Sequence, residues 1–157
     1  MKLKLLNKCE LKSLYNAEIV DDFPRAELKP LRAMLRLMDM GQYDPLLITD
    51  DDGNALGYAG LQTVLDEGYI NNVAVAPDYR RQGVAGELIA AFIRFGKAKL
   101  AFLTLEVRAS NTPAIQFYEK YGFAEAGRRK NYYDDPKEDA ILMTLEFEHE
   151  TEAAEQV

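Results

Sequence analysis

The chain has 157 residues, enough for one domain with a real core and too few for two. With 48% hydrophobic and 29% charged residues it has an ordinary globular composition, and 19 basic against 26 acidic residues give a net charge of −7. That sign argues against a general nucleic-acid binder, which needs surplus Lys and Arg to neutralise phosphate. A single cysteine, Cys9, excludes an internal disulfide, and a single histidine, His149, excludes a His-based triad or a multi-His metal site.

Leu3–Leu6 reads as a short strand, followed by two helical patterns, roughly Leu11–Val20 and Glu27–Met40. In the second, Leu28, Leu31, Leu35 and Met38 recur at helical spacing and Gly41 provides a stop. Pro45–Thr49 and Leu56–Leu61 read as strands joined by the Asp50–Gly53 turn, since an Asp-Gly pair between apolar runs signals a hairpin. A third strand, about Tyr69–Ala76, ends at Pro77, and a helix over Gly83–Lys99 carries Val84, Leu88, Phe92 and Phe95 as its buried stripe. Phe102–Val107 is the next strand and Pro113–Tyr121 a short helix closed by Gly122. The last strands are about Phe123–Tyr132 and Ala140–Phe147.

This order predicts a mixed α/β (α+β) fold, a mostly antiparallel central sheet of about seven strands flanked by about four helices. A single domain is expected over residues 1–147, with 148–157 an acidic, flexible tail. No apolar run reaches the ~18 residues of a spanning helix. No leader segment is visible, so a cytoplasmic protein without a membrane partner is expected.

Between the third strand and the long helix, a helix begins at Gly83 directly after Arg80 and Arg81. First-turn N–H groups lack internal partners and the helix dipole favours negative charge there. Gly83 admits a bulky anion and Ala85 does not block it. A phosphate cradle and a solvated loop with a glycine cap both fit this pattern, whereas the dinucleotide and Walker glycine fingerprints are missing. Arg80-Arg-Gln-Gly-Val-Ala85, with the strand Asn72–Pro77 before it, resembles the acetyl-CoA loop and fourth strand of the GNAT N-acetyltransferases. The resemblance implies that Arg80, Arg81, Gln82, Gly83, Val84 and Ala85 take the CoA pyrophosphate. It also implies that the backbone around Val73, Ala74 and Val75 holds the thioester and pantetheine arm.

Glu106 interrupts an apolar strand, sharing with Phe102 and Thr104 the face opposite Leu103, Leu105 and Val107. A carboxylate there is costly unless paired or solvated in a cleft. Paired with Arg108 on the same face it would be structural; in a cleft it would be a general base. On the next helix Ala114, Phe117, Tyr118 and Tyr121 share a face that plain core packing explains. Leu105–Asn111, Ala114-Ile115, Tyr118-Glu119, Gly122-Phe123, Arg129–Tyr133 and Glu138–Ala140 resemble the RimI branch, the bacterial ribosomal-protein alanine N-acetyltransferases, over about Asn72–Met143. On that resemblance Glu106 is the general base, Tyr118 the general acid and Asn111 a CoA contact.

The implied reaction carries acetyl from acetyl-CoA, without a metal, to the N-terminal α-amine of an alanine on a ribosomal protein. The alternatives are a small-molecule amine or another peptide as acceptor, or a non-catalytic acyl-CoA-binding module. The acidic, aromatic segment Asn131–Asp139 reads either as a solvated hairpin loop or as a wall of the acceptor groove. As a wall, its Tyr132, Tyr133, Asp134 and Asp135 would meet a basic N-terminal segment. The sequence leaves the oligomeric state open.

Overall fold

Apolar alternation in the strands and four-residue spacing in the helices assemble one sheet with helices on both faces. The computed structural model describes residues 1–15 and 31–148. In chain order the elements are β1 (Lys2–Leu5), α1 (Lys8–Tyr15), α2 (Leu31–Asp39), β2 (Tyr43–Thr49), β3 (Ala55–Val64), β4 (Glu67–Val75), a single 3-10 turn (Pro77–Tyr79), α3 (Val84–Lys99), β5 (Phe102–Arg108), α4 (Thr112–Lys120), β6 (Ala124–Asp134) and β7 (Lys137–Glu146). The seven strands lie in the order β1-β2-β3-β4-β5-β7-β6, and every pair is antiparallel except β4 with β5. Expected segments within 16–30 and 149–157, including Leu28 and the acidic tail beyond Glu148, lie outside the described residues.

Two cores lie on opposite faces of the sheet. The larger joins Leu103, Leu105 and Val107 of β5 to Val84, Leu88, Ile89 and Phe92 of α3. The smaller seals α1 and α2 onto the other face through Leu11, Leu14, Met34, Tyr43 and Tyr58. On α2 the fully buried residue is Met34, with Leu31, Leu35 and Met38 packed around it. On α3 the expected stripe fails at its last member, because Phe95 is 40% exposed. Gly96 continues the four-residue spacing of Val84, Leu88 and Phe92, and the Phe147 ring lies where a Cβ of Gly96 would sit. The Asp50–Gly53 turn forms as expected. Asp50 Oδ1 accepts the N–H groups of Asp52 and Asn54, each at 2.9 Å, and Gly53 takes a φ of +85°.

Three irregularities position the site. The parallel strands β4 and β5 pair only through Glu67–Phe102, Gly68–Leu103 and Tyr69–Thr104, and then part. Within β4, one residue more than in β3 is fitted between the Asn71–Gly60 and Ala74–Tyr58 pairs, a bulge at Asn72 and Val73. In β6 the register against β7 slips between Glu125 and Gly127 and again between Arg129 and Tyr133. At the second slip Asn131 takes a φ of +52° and its N–H donates to Asp139 Oδ1 at 2.8 Å. The segment Asn131–Asp139 is therefore mostly paired strand, turning only at Asp135-Pro136, rather than a free loop.

Candidate active site

The gap between β4 and β5 is bounded at one end by the start of α3. Gly83 forms its N-cap at φ +84°, with no side chain bonded to the first turn, and Arg81 before it also takes a positive φ of 62°. Glu87 N–H makes the first intrahelical bond, to the Gly83 carbonyl at 3.1 Å, so the amides of Val84, Ala85 and Gly86 have no helical acceptor. Gln82 Nε2 donates to the Asp78 carbonyl at 3.0 Å, which ties the loop together. Arg80, Arg81, Gln82 and Gly83 are exposed while Val84 is buried, so the amides open outward beside two guanidiniums. Gly57 allows this helix end to sit down on the sheet: a Cβ there would lie 2.5 Å from Val84 Cγ1.

Ala74 is buried, and Val73 and Val75 are half-buried against the larger core. The edge of this bulged stretch that faces β5 forms no strand pairing beyond Tyr69. Its N–H and C=O groups are available to an extended, amide-containing chain, as a pantetheine arm is. A pyrophosphate fits the amides and arginines of the loop on the same grounds.

Glu106 has 27% of its side chain exposed, on the β5 face opposite the larger core. Its partner is Arg129, whose Nε lies 3.0 Å from Glu106 Oε1, and not Arg108. The Tyr132 phenol also donates to the Glu106 carboxylate, and this bond is the main reason the phenol is pushed up to about 12. Arg108 is held elsewhere. Its guanidinium donates to the Pro136 carbonyl at 2.8 Å, the Asp135 carbonyl at 3.1 Å and Glu138 at 3.3 Å, and it lies 4.3 Å from the Tyr133 ring centre. Glu138 also accepts from Ser110, and the Ser110 hydroxyl, its N–H and Arg108 together hold the Glu138 carboxyl below the usual carboxylate range. The strand order explains the exchange of partners, because β7 lies between β5 and β6 and the slip in β6 brings residues 129–132 diagonally over Glu106.

Tyr118 belongs to the larger core, on the other side of the sheet. Its ring is 8% exposed and meets Phe117 and Phe123 at centroid distances of 5.2 and 5.7 Å. Burial pushes the phenol up to about 12, so it keeps its proton across the physiological range. Among the described residues its hydroxyl has no hydrogen-bond partner, yet no buried side-chain polar atom is left unsatisfied, so the oxygen reaches accessible space. Glu106 and Tyr118 thus stand on opposite faces of β5. Asn111 caps α4, its side-chain oxygen accepting the Ala114 N–H at 3.2 Å, which leaves its Nδ2 as a donor.

Of the residues expected to meet an acceptor, only Tyr132 touches Glu106. Tyr133 lies under Arg108, and Asp134 and Asp135 are exposed at the hairpin end. Arg129 and Glu138 are contacts that sequence reasoning missed, and nothing in their local spacing signals them. Among the described residues no group of three or more His, Cys, Asp or Glu is placed to hold a metal. No helix among them is long and apolar enough to cross a membrane.

Parted parallel strands, a bulge beside them and an uncapped helix start with arginines form a cleft that suits a diphosphate joined to an extended, amide-containing arm. The chain belongs to the acetyltransferase (GNAT) family, which residues 10–123 match, and is an N-acetyltransferase of that family, whose co-substrate is acetyl-CoA. It is 48% identical over 97 residues to the ribosomal protein bS18-alanine N-acetyltransferase of Escherichia coli K12, a match that covers 60% of this chain and 66%, just under two thirds, of that enzyme. The enzyme of the same name from Haemophilus influenzae is 34% identical over 142 residues, covering 88% of this chain and 93% of that one. The crystal structure of the E. coli ribosomal-protein-S18-alanine N-acetyltransferase aligns with a TM-score of 0.79 and 34% identity over 96% of each chain.

Proposed function

We propose that the protein acetylates the α-amine of an N-terminal alanine on a ribosomal protein, in the cytoplasm. The observation that carries the reading is the half-exposed Glu106 beside parted strands in a chain 48% identical to an enzyme named for that reaction. Acetyl-CoA supplies the acetyl group. The residues that would hold it are Arg80, Arg81, Gln82, Gly83, Val84 and Ala85 at its pyrophosphate, the backbone of Val73, Ala74 and Val75 along its arm, and the Nδ2 of Asn111.

Glu106 accepts the proton that the acceptor amine must lose. An α-amine, at ~7.7–8.0, is already neutral in roughly a tenth to a fifth of molecules at pH 7, whereas a lysine at ~10.4 is neutral in fewer than about one in a thousand. One carboxylate therefore suffices most readily for an α-amine. Tyr118 keeps its O–H at neutral pH and offers it to the departing sulfur. Tyr132 and Tyr133 flank the acceptor's path, and exposed Asp134 and Asp135, with the net charge of −7, favour a basic segment.

Initial rates with a basic peptide that begins with alanine, beside a panel of small polyamines and aminoglycosides, test this reading. The peptide is expected to be the preferred acceptor. Turnover of small amines alone, or acetyl-CoA binding without turnover of the peptide, would refute it.

A further inference from the structure

Two arginines stand at the acceptor end of the site with opposite character. Arg108 is 14% exposed, and two backbone carbonyls, Glu138 and the Tyr133 ring fix it in place. Arg129 is 55% exposed, with its Nε 3.0 Å from Glu106 Oε1 and its guanidinium 6.0 Å from the Tyr132 ring centre. An ion pair whose cation is more than half in water is weak and easily exchanged, unlike a buried pair. The neighbouring cation Arg128 is turned to Glu125 at 3.0 Å, so Arg129 alone of the three residues 128–130 is shown on Glu106.

At neutral pH most acceptor α-amines arrive as ammonium ions. An ammonium that approached Glu106 would meet the same carboxylate oxygen that Arg129 holds. Exchange of one cation for the other keeps the half-buried carboxylate paired throughout, which avoids the cost of leaving it alone. The released guanidinium is already more than half in water.

We propose that Arg129 is a displaceable stand-in for the acceptor's ammonium: it holds Glu106 in the free enzyme, yields that carboxylate to the incoming α-amine, and so sets acceptor affinity rather than rate. The inference rests on Glu106 as the group that receives the amine. Arg129 is a positioning residue here, acting through Glu106. It makes uncharged molecules poor competitors for the site, because they cannot take over a carboxylate already paired with a cation.

The test compares wild type, Arg129→Gln and Arg129→Lys with an alanine-first basic peptide at saturating acetyl-CoA. Loss of the competing cation should lower the peptide KM about two- to fivefold, with kcat within about twofold, and lysine should restore the wild-type KM. An unchanged or raised KM in Arg129→Gln, or a fall in kcat without a fall in KM, would overturn the proposal. A second readout needs no acceptor: carbodiimide-driven coupling of glycine ethyl ester, mapped by mass spectrometry. Coupling at Glu106 should be at least about twofold faster in Arg129→Gln, with Glu125 as an unchanged internal reference. Equal coupling at Glu106 would overturn the proposal whatever the acceptor. Faster coupling in an enzyme that never acetylates the peptide would support it and refute only the peptide assignment.

Discussion

Tyr118→Phe removes one oxygen from a ring that is 8% exposed and leaves every packed carbon in place. The contacts with Phe117 at 5.2 Å and Phe123 at 5.7 Å use ring edges that phenylalanine keeps, so no cavity opens. The hydroxyl has no hydrogen-bond partner among the described residues and no sealed environment, so no internal bond is lost. Stability should therefore stay within about 0.5 kcal/mol of wild type. Tyr118→Ala, which deletes the ring, should cost about 3–5 kcal/mol instead. If the O–H serves the departing sulfur, Tyr118→Phe should lose about 10²- to 10⁴-fold in kcat, with the acetyl-CoA KM within about twofold. Urea midpoints give the first quantity, and single-turnover rates followed by thiol release give the second. A Tyr118→Phe enzyme with wild-type single-turnover rate would refute the role. A variant that lost stability as steeply as it lost rate would refute the packing account.

Gly57→Ala would place a Cβ 2.5 Å from Val84 Cγ1 and 3.1 Å from the Ala74 carbonyl, which lifts the first turn of α3 away from β4. A loss of about 1–3 kcal/mol in urea unfolding is expected, together with a raised acetyl-CoA KM and an unchanged peptide KM. Wild-type values of both stability and acetyl-CoA KM would show that the loop does not depend on this contact. Glu138 titrates below its ordinary 4.5 in the folded chain because the Ser110 hydroxyl, the Ser110 amide and Arg108 bind its charged form. Its charge therefore stabilises the fold above pH 4.5, and that contribution disappears as the pH falls through the lower folded value. Measured by urea midpoints from pH 7 to pH 3.5, the advantage of wild type over Glu138→Gln should hold steady and then shrink in acid. An advantage that grows on acidification would contradict the assignment.

Local features of the sequence carried the reading as far as single strands and helices. The alternation of Leu103, Leu105 and Val107 placed Glu106 on the opposite face of its strand, and the structure has it there. Gly83 sat where a helix start was expected, and it is the N-cap of α3. What local pattern could not give is any relation that depends on strand order. Arg108 is two residues from Glu106 on the same face, and a pairing of the two was one of the readings the sequence left open. The insertion of β7 between β5 and β6, with the slip at residues 129–133, instead brings Arg129 to Glu106 and leaves Arg108 to Glu138. The same holds for Phe95: its apolarity suggested burial, but the space beyond Phe92 on α3 is taken by Phe147, some fifty positions away in the chain, lying against Gly96. The β4 bulge at Asn72 and Val73 is likewise set by pairing with β3 and by the parting from β5.

The most direct test of the central claim is the position of the acetyl group on one peptide that carries an N-terminal alanine and internal lysines. Incubated with the enzyme and acetyl-CoA and then sequenced by tandem mass spectrometry, the peptide should be acetylated at the alanine α-amine alone, and Glu106→Gln should slow that modification severely. Acetyl on lysine side chains, or an undiminished rate in Glu106→Gln, would contradict the account.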